Sequence, residues 1–178
     1  LKENEQVKGE VFKPTERIKL YVVEVKNTTK GPKIIVSRTH PELVKRLFES
    51  EVTEVKEGIV EIKSIAREAG SRTKIAVESR DENVDPIGAC IGNRGARIGT
   101  IIDELRGEKI DIVRYSEDMA EFIREALSPA EVISVEIDGE RSARVVVSPD
   151  QLSLAIGKEG QNAKLVARLT GCKIDIKA

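Results

Sequence analysis

The pattern of apolar positions divides the chain into three segments, and the first of them ends near residue 38. Residues 18–25 are rich in β-branched and aromatic side chains, which predicts a strand. Asparagine, glycine and proline in residues 27–32 indicate a turn, and residues 33–37 form the returning strand. Because a lone hairpin is only marginally stable in water, we expect its partner strands to be absent here or to come from the first eleven residues.

Helical spacing follows the hairpin. Within residues 41–49, Leu43, Val44 and Leu47 share one face with Phe48 beside it, and Pro41 stands at the first helical position, which predicts a short helix. Residues 52–58 are acidic and are predicted to be a connector.

The rest of the chain contains an internal repeat. Residues 91–95 and 156–160 share the pattern Ile-Gly-x-x-Gly at an offset of 65 residues. Residues 107–112 and 171–176 share Gly-x-Lys-Ile-Asp-Ile at an offset of 64 residues. Self-similarity at a fixed spacing predicts two copies of one structural unit.

Both copies show the same predicted order of elements, α-β-β-α-α-β, in which GxxG separates the second and third helices. The first copy has predicted elements at residues 41–49, 59–66, 74–77, 86–91, 96–105 and 109–115. The second has them at residues 119–127, 132–137, 144–147, 150–156, 161–169 and 173–176.

A GxxG turn at the start of a helix has a chemistry that suits phosphate. Glycine permits a tight turn and a close approach of another backbone, and the unpaired N–H groups of the following helix attract anions. Cations stand where this interpretation needs them, namely Arg94, Arg97, Lys158, Lys164 and Arg168. One GxxG is weak evidence, since any tight turn between helices could use it, but two copies in equivalent places favour nucleic-acid binding over structural duplication alone.

Gln161 and Asn162 follow the second loop, and their amides suit base edges or sugar hydroxyls. Composition limits how RNA could be held. The net charge is −1, the pI is about 6.1, and aromatic residues make up 3% of the chain with no Trp. A platform of stacked aromatic rings is therefore not expected, and binding would depend on a local grip of the sugar–phosphate backbone.

Covalent chemistry finds little support. Cys90 and Cys172 lie far apart, so we expect two reduced thiols and neither a disulfide nor a metal site. His40 is the only imidazole, and its place before Pro41 indicates a helix cap or hinge and not a catalytic base. No P-loop or dinucleotide fingerprint is present, so we expect no enzyme activity, no catalytic residues, no cofactor and no metal.

The repeated blocks resemble the tandem KH domains of the NusA family of bacterial transcription factors. The similarity lies in residues 84–92, 151–158, 160–163 and 171–176, and residues 31–41 resemble the end of that family's preceding OB-fold domain. The resemblance implies regulation of pausing, termination and antitermination, with nascent single-stranded RNA, RNA polymerase and other Nus factors as partners of the full-length protein. Glu159 occupies a loop position that is often glycine in the family, and an acid beside phosphate is expected to weaken the grip there.

The resemblance therefore implies an α+β chain with a partial OB-fold β-barrel in residues 1–38 and two prokaryotic-type, type II (α-β-β-α-α-β) KH domains in residues 39–115 and 116–178. Because the chain begins at Leu1 and not at Met, we expect a piece of a longer protein. No apolar run is long enough to span a membrane, and we expect the protein to be cytoplasmic and monomeric. Two alternatives stay open, a KH protein of the ribosome or of RNA decay, and a protein-interaction scaffold. The predicted RNA-binding residues are Ile91, Gly92, Asn93, Arg94, Gly95, Arg97, Ile98, Ile156, Gly157, Lys158, Glu159, Gly160, Gln161, Asn162, Lys164 and Arg168.

Overall fold

The computed structural model describes all 178 residues, as seven α-helices and eight strands in three separate sheets. The helices are α1 (Pro41–Glu51), α2 (Thr53–Lys56), α3 (Pro86–Ile91), α4 (Ala96–Glu104), α5 (Met119–Ala126), α6 (Leu152–Ile156) and α7 (Gln161–Thr170). The strands are β1 (Tyr21–Thr28), β2 (Gly31–Ser37), β3 (Val60–Glu68), β4 (Arg72–Ser79), β5 (Lys109–Arg114), β6 (Ser134–Ile137), β7 (Ser142–Val146) and β8 (Lys173–Lys177). None of the helices has the length and apolar character that crossing a lipid bilayer requires.

Strands β1 and β2 form an antiparallel hairpin that has no third strand. Its turn is tighter than the predicted residues 27–32, because pairing continues to Thr28 and Gly31 and the Thr28 hydroxyl donates to the Gly31 carbonyl at 2.6 Å. The first eleven residues form no strand, which excludes them as the expected partners. Val25 and Ile34 are consequently 58% and 60% exposed.

The segment before the hairpin is instead fastened to the first KH-like module, residues 39–115. Arg38 is 1% exposed and forms ion pairs with Glu10 at 2.7 Å and with Glu104 at 3.0 Å. Its guanidinium also donates to the Lys19 carbonyl at 2.8 Å. A buried charge is tolerated only when it is paired and hydrogen-bonded, so these contacts order the N-terminal segment against α4.

In the first module, helices pack on one face of the three-stranded sheet β3-β4-β5. Strand β4 is antiparallel to β3 and parallel to β5. Val44 and Phe48 of α1 and Ile101 of α4 meet Ile75 and Val77 of β4 in one buried cluster. The core therefore lies beneath α3 and α4, the two helices that flank the first GxxG.

Two details of the first module differ from the prediction. Helix α1 continues to Glu51, and the predicted connector at residues 52–58 contains helix α2. Val52 ends one helix and begins the other, and its side chain is fully buried. That burial fixes the position of α2, which four residues could not achieve by helix propensity alone.

The second module, residues 116–178, repeats this topology with strand order β6-β7-β8 and helices α5, α6 and α7. Most predicted bounds lie within one or two residues of the observed ones. The predicted helix at residues 150–156 is a 3-10 turn, Pro149–Gln151, followed by α6.

The two modules share a core. Ala66, Ala76 and Val113 point away from the first module's own helices and join the buried cluster that contains Leu127 and Leu165 of the second module. Polar contacts cross the same junction, since the Ser64 hydroxyl donates to the Leu169 carbonyl at 2.9 Å and the Lys74 ammonium to the Ser128 carbonyl at 2.9 Å. The first sheet is thus covered on both faces, and the two GxxG loops are held on one body.

Candidate nucleic-acid interface

The two GxxG loops have nearly the same backbone. Gly92 and Gly157 begin them at φ 77°, ψ 175° and φ 80°, ψ 168°. Arg94 and Glu159 occupy the left-handed region at φ 55°, ψ 31° and φ 55°, ψ 25°. Since positive φ costs energy for side chains other than glycine, two equivalent occurrences indicate that the surrounding structure imposes this path on both loops.

The first glycine of each loop is required by packing. A Cβ on Gly92 would stand 2.7 Å from the Cγ of Arg97, and a Cβ on Gly157 would stand 2.7 Å from the backbone N of Asn162. The Cβ and backbone N of Arg97 also stand 3.0 Å from the added Cβ at Gly92, but the nearest contact at Gly157 is 2.7 Å and is with backbone. The second loop is therefore the less tolerant of the two.

The second glycine of each loop leaves the following helix open. Gly95 and Gly160 are the N-cap residues of α4 and α7, in left-handed conformation and without a side-chain cap. By contrast, His40, Asp85 and Asp118 cap α1, α3 and α5 with side-chain acceptors. The first N–H groups of α4 and α7 thus lack the side-chain acceptor that caps α1, α3 and α5. Unpaired N–H groups at a helix N-terminus are suited to binding an anion.

Beneath the first loop, Arg97 acts as a support. Its Nη1 donates to the Glu54 carboxylate at 2.6 Å and to the Ala89 carbonyl at 2.8 Å. The pKa of Glu54 is lowered because its own backbone N–H and then Arg97 hydrogen-bond the carboxylate. The sequence pattern missed Glu54, since it falls in the presumed connector, and Arg97 is less free for phosphate than its position in the sequence predicts.

Asn162 takes the equivalent place under the second loop, which corrects the expectation that its side chain faces base edges. It is 3% exposed, and its Nδ2 donates to the Leu127 carbonyl at 3.2 Å and to the Ala155 carbonyl at 2.9 Å. Its backbone N, in the first turn of α7, lies against Gly157 of the loop.

Gln161 is also engaged. Its Nε2 donates to the Ser71 hydroxyl at 2.6 Å and to the Glu68 carboxylate at 3.1 Å, both in the first module. The second loop is therefore held partly by its neighbour. Residues 68 and 71 lie about ninety positions away in sequence, so no local signal indicated this contact.

The remaining predicted cations are exposed. Arg94 and Lys158 project from the two loops and form no ion pair. Lys164 donates to the Glu159 carbonyl at 3.1 Å, and Arg168 lies one turn further along α7. The other predicted residues cluster with them: Asn93 is exposed, and Ile91, Ile98 and Ile156 are half-buried. The structure thus gathers the predicted residues into two equivalent groups, one around each loop.

The groups judged unsuited to catalysis are structural. The Nδ1 of His40 accepts from the Glu42 N–H at 3.0 Å, which confirms its role as a helix cap. Cys90 and Cys172 are free and buried, and burial raises the pKa of Cys90 to about 12. No group of three or more His, Cys, Asp or Glu side chains is arranged to hold a metal ion.

Comparison with known families agrees with the repeat. Residues 38–115 match the family described as NusA-like first KH domain, and residues 119–178 match the NusA-like second KH domain. The predicted α+β fold with two KH domains is thereby confirmed.

Relatives match almost the whole chain. Over 98% of its length the chain is 58% identical to transcription termination/antitermination protein NusA of Bacillus subtilis, of which it covers 47%. It is 53% identical to the Thermus thermophilus protein of that name over 98% of the chain and 45% of the relative. For Mycobacterium tuberculosis the identity is 54%, over 97% of the chain and 50% of the relative. The chain thus spans about half the length of these curated relatives.

A solved structure titled crystal structure of APE1850 has the same fold. It superimposes with a TM-score of 0.55 at 23% identity, covering 75% of this chain and 95% of that one. With both KH matches and relatives that extend over 97–98% of its residues, the chain belongs to the NusA family.

Proposed function

We propose that the chain binds single-stranded RNA through its two GxxG loops. The observation that carries this proposal is the pair of open helix N-termini at Gly95 and Gly160, presented by loops of the same backbone geometry. KH modules clamp about four backbone nucleotides at such a loop. The exposed cations Arg94 and Lys158 supply charge where phosphate would lie.

Two weak sites on one body bind a strand better than either alone. Once one loop holds RNA, the second faces a high local concentration of the same strand, so avidity exceeds the separate affinities. The shared core supports this, because it removes the freedom of the modules to separate. Overall charge contributes little, since the chain is nearly neutral.

The name shared by these relatives supports a role in transcription termination and antitermination. On this proposal, the chain is the RNA-gripping part of a longer factor that regulates pausing and acts on the nascent transcript beside RNA polymerase and other Nus factors. It works as a monomer in the cytoplasm and performs no covalent chemistry, so its effect is to hold RNA in place.

The test is the double variant Gly95→Asp with Gly160→Asp. A Cβ meets nothing closer than 3.9 Å at Gly95 and 3.6 Å at Gly160, so an aspartate side chain has room and brings negative charge to both helix N-termini, with the backbone strain of a positive φ at both sites. The matched control is Gly58→Asp with Gly139→Asp, which adds the same charge at two glycines of positive φ in open space. We expect the loop variant to bind single-stranded RNA at least tenfold more weakly and the control to bind normally.

Equal binding by the two double variants would overturn the loop mechanism. RNA binding that does not weaken with salt would favour the scaffold alternative, because phosphate contacts impose a salt dependence. Recovery of ribosomes or decay enzymes, and of no RNA polymerase, with the full-length protein would favour the alternative KH proteins.

A further inference from the structure

The second loop stands between two recesses formed with the first module. Both recesses include Ser71, Lys158 and Gln161 in their walls. The Gln161–Ser71 hydrogen bond at 2.6 Å lies where they meet. A bound RNA strand that runs from the second loop toward the first module must therefore pass on one side of this hydrogen bond or the other.

The two recesses differ in charge. The smaller, about 260 Å³, contains the carboxylates of Glu68 and Glu159 together with Lys158 and Lys164. The larger, about 350 Å³, has no carboxylate in its wall and contains Arg72, Lys109 and Lys158. Phosphate would face two carboxylates beside two ammonium groups in the smaller recess, whereas every charged side chain that lines the larger one is a cation.

Lys109 is the cation of the larger recess that the first module leaves free. Arg72 is already paired, since its Nε lies 2.9 Å from the Asp111 carboxylate. The Lys109 side chain is exposed and forms neither an ion pair nor a hydrogen bond, while its backbone N–H donates to the Ser71 carbonyl at 3.0 Å. The backbone is thus fixed beside the recess, and the ammonium can reach a ligand.

The recess also offers surface for more than phosphate. Leu154 in its wall is 44% exposed, and Gly157, the first residue of the second loop, lies in the same wall. An apolar side chain next to a backbone turn suits a sugar or base edge beside its phosphate. These features match a continuing nucleotide chain better than an isolated inorganic anion.

We infer that the RNA strand held by the second GxxG loop continues through this larger recess, where Lys109 of the first module contacts its phosphate. This inference rests on the proposed function. It makes the second binding site a composite of both modules and adds to it a residue more than forty positions before Gly157. Salt leaves charge interactions effective over about 8–10 Å, so the exposed Lys109 ammonium favours the larger recess as the path of the phosphates.

The repeat supplies a matched control. Lys173 occupies the equivalent place, as first residue of β8 where Lys109 is first in β5, and it is likewise exposed. The wall of the larger recess contains Lys109 and not Lys173. Lys109→Ala and Lys173→Ala therefore remove the same charge from equivalent strand ends, one in the recess and one outside it.

Affinity for a single-stranded RNA long enough to span both loops should be measured from 50 to 300 mM salt. We expect Lys109→Ala to bind about threefold to tenfold more weakly, with the slope of log K against log salt reduced by about 0.7, the value for one lost phosphate contact on a single strand. Lys173→Ala should keep the wild-type slope. Equal effects of the two variants would overturn the inference.

A second measurement avoids substitution altogether. Lysine acetylation of the unaltered protein, with and without RNA, should show protection of Lys109 and none of Lys173. Absence of Lys109 protection while the Gly95→Asp, Gly160→Asp variant still loses binding would sink this inference alone. Absence of RNA binding by the wild type would instead defeat the proposed function.

Discussion

The first glycine loop is supported by an ion pair within its own module. The second is supported by a buried amide and by a hydrogen bond to the first module. Arg97 and Glu54 support the former with side chains 31% and 29% exposed. Asn162 supports the latter at 3% exposure, and Gln161 joins it to Ser71. The loop backbones are nevertheless almost the same, which teaches that one conformation can be maintained by unrelated chemistry.

The sheets show a second contrast. Outward positions of the first sheet include Ala66, Ala76 and Val113, which the second module buries. The equivalent positions of the second sheet are Glu136, Val146 and Lys177, all exposed. One repeat therefore uses its sheet as a joint, and the other presents its sheet to water.

The largest expected effect tests the joint. Ala76→Glu places a charge in the shared core and should cost about 3–5 kcal/mol of unfolding free energy, since a buried charge without a partner is strongly unfavourable. Val146→Glu, at the equivalent position, should cost about 1 kcal/mol or less because its side chain stays in water. Urea unfolding measures both, and equal losses would contradict the contrast between the sheets.

Next in size is the loss of the loop supports. Asn162→Ala removes two hydrogen bonds from buried carbonyls and should cost about 2 kcal/mol. Arg97→Ala should cost about 1 kcal/mol or less, because solvent screens a pair that is one third exposed. A larger loss for Arg97→Ala in thermal or urea unfolding would show that the charged support is the stronger one.

Acid should separate the loops further. Because the folded-state pKa of Glu54 lies below its ordinary 4.5, its stabilising contribution is complete above pH 4.5 and is lost as pH falls through the lowered value. The amide resonance of Gly92 should therefore move below pH 4.5 in the wild type and not in Glu54→Gln. The difference between the two titrations isolates the contribution of Glu54, and a Gly157 difference as large as that of Gly92 would contradict the contrast between the loops.

The smallest perturbation uses Cys90 as a reporter. Its pKa of about 12 reflects burial first and then the nearby charge of Glu54, so in a Cys172→Ser background alkylation at pH 8 should be on the order of a thousandfold slower than for free cysteine. Arg97→Ala removes a positive charge that lowers the Cys90 pKa, so any acceleration must come from a loosened loop that exposes the thiol. We expect that acceleration with Arg97→Ala and none with Asn162→Ala. Mass spectrometry follows the rate, and equal acceleration by both variants would show that the supports are coupled.

The sequence predicted what depends on local pattern. Glycine spacing located both loops, and periodic apolar residues located α4 and α7 to within one residue at their ends. Helix α2 was missed because four residues carry no reliable period, and burial of Val52 fixes it instead. Whether the loops and their cations bind RNA remains a prediction.

Contacts between distant residues were beyond the pattern. The side chain of Asn162 was expected to be free, yet its amide donates a hydrogen bond to the carbonyl of Leu127, thirty-five positions earlier. One signal was available in the sequence: Ile75, Ala76 and Val77 form an unbroken apolar run, and such a run indicates a strand that is covered on both faces. The small Ala76 beside Ile75 could have suggested the second module as that cover.

The core shared by the two modules also determines how much of the chain must be transferred together to keep its fold. Cutting the chain near residue 116 would separate the two modules by sequence, but Ala66, Ala76 and Val113 would stay behind while α5 and α7 lost the apolar wall that completes their packing. A recombination event that moved the second module alone would thus transfer a hydrophobic core that lacks part of its buried surface. The two copies of the repeat therefore form one structural unit, which can be transferred intact only as a whole.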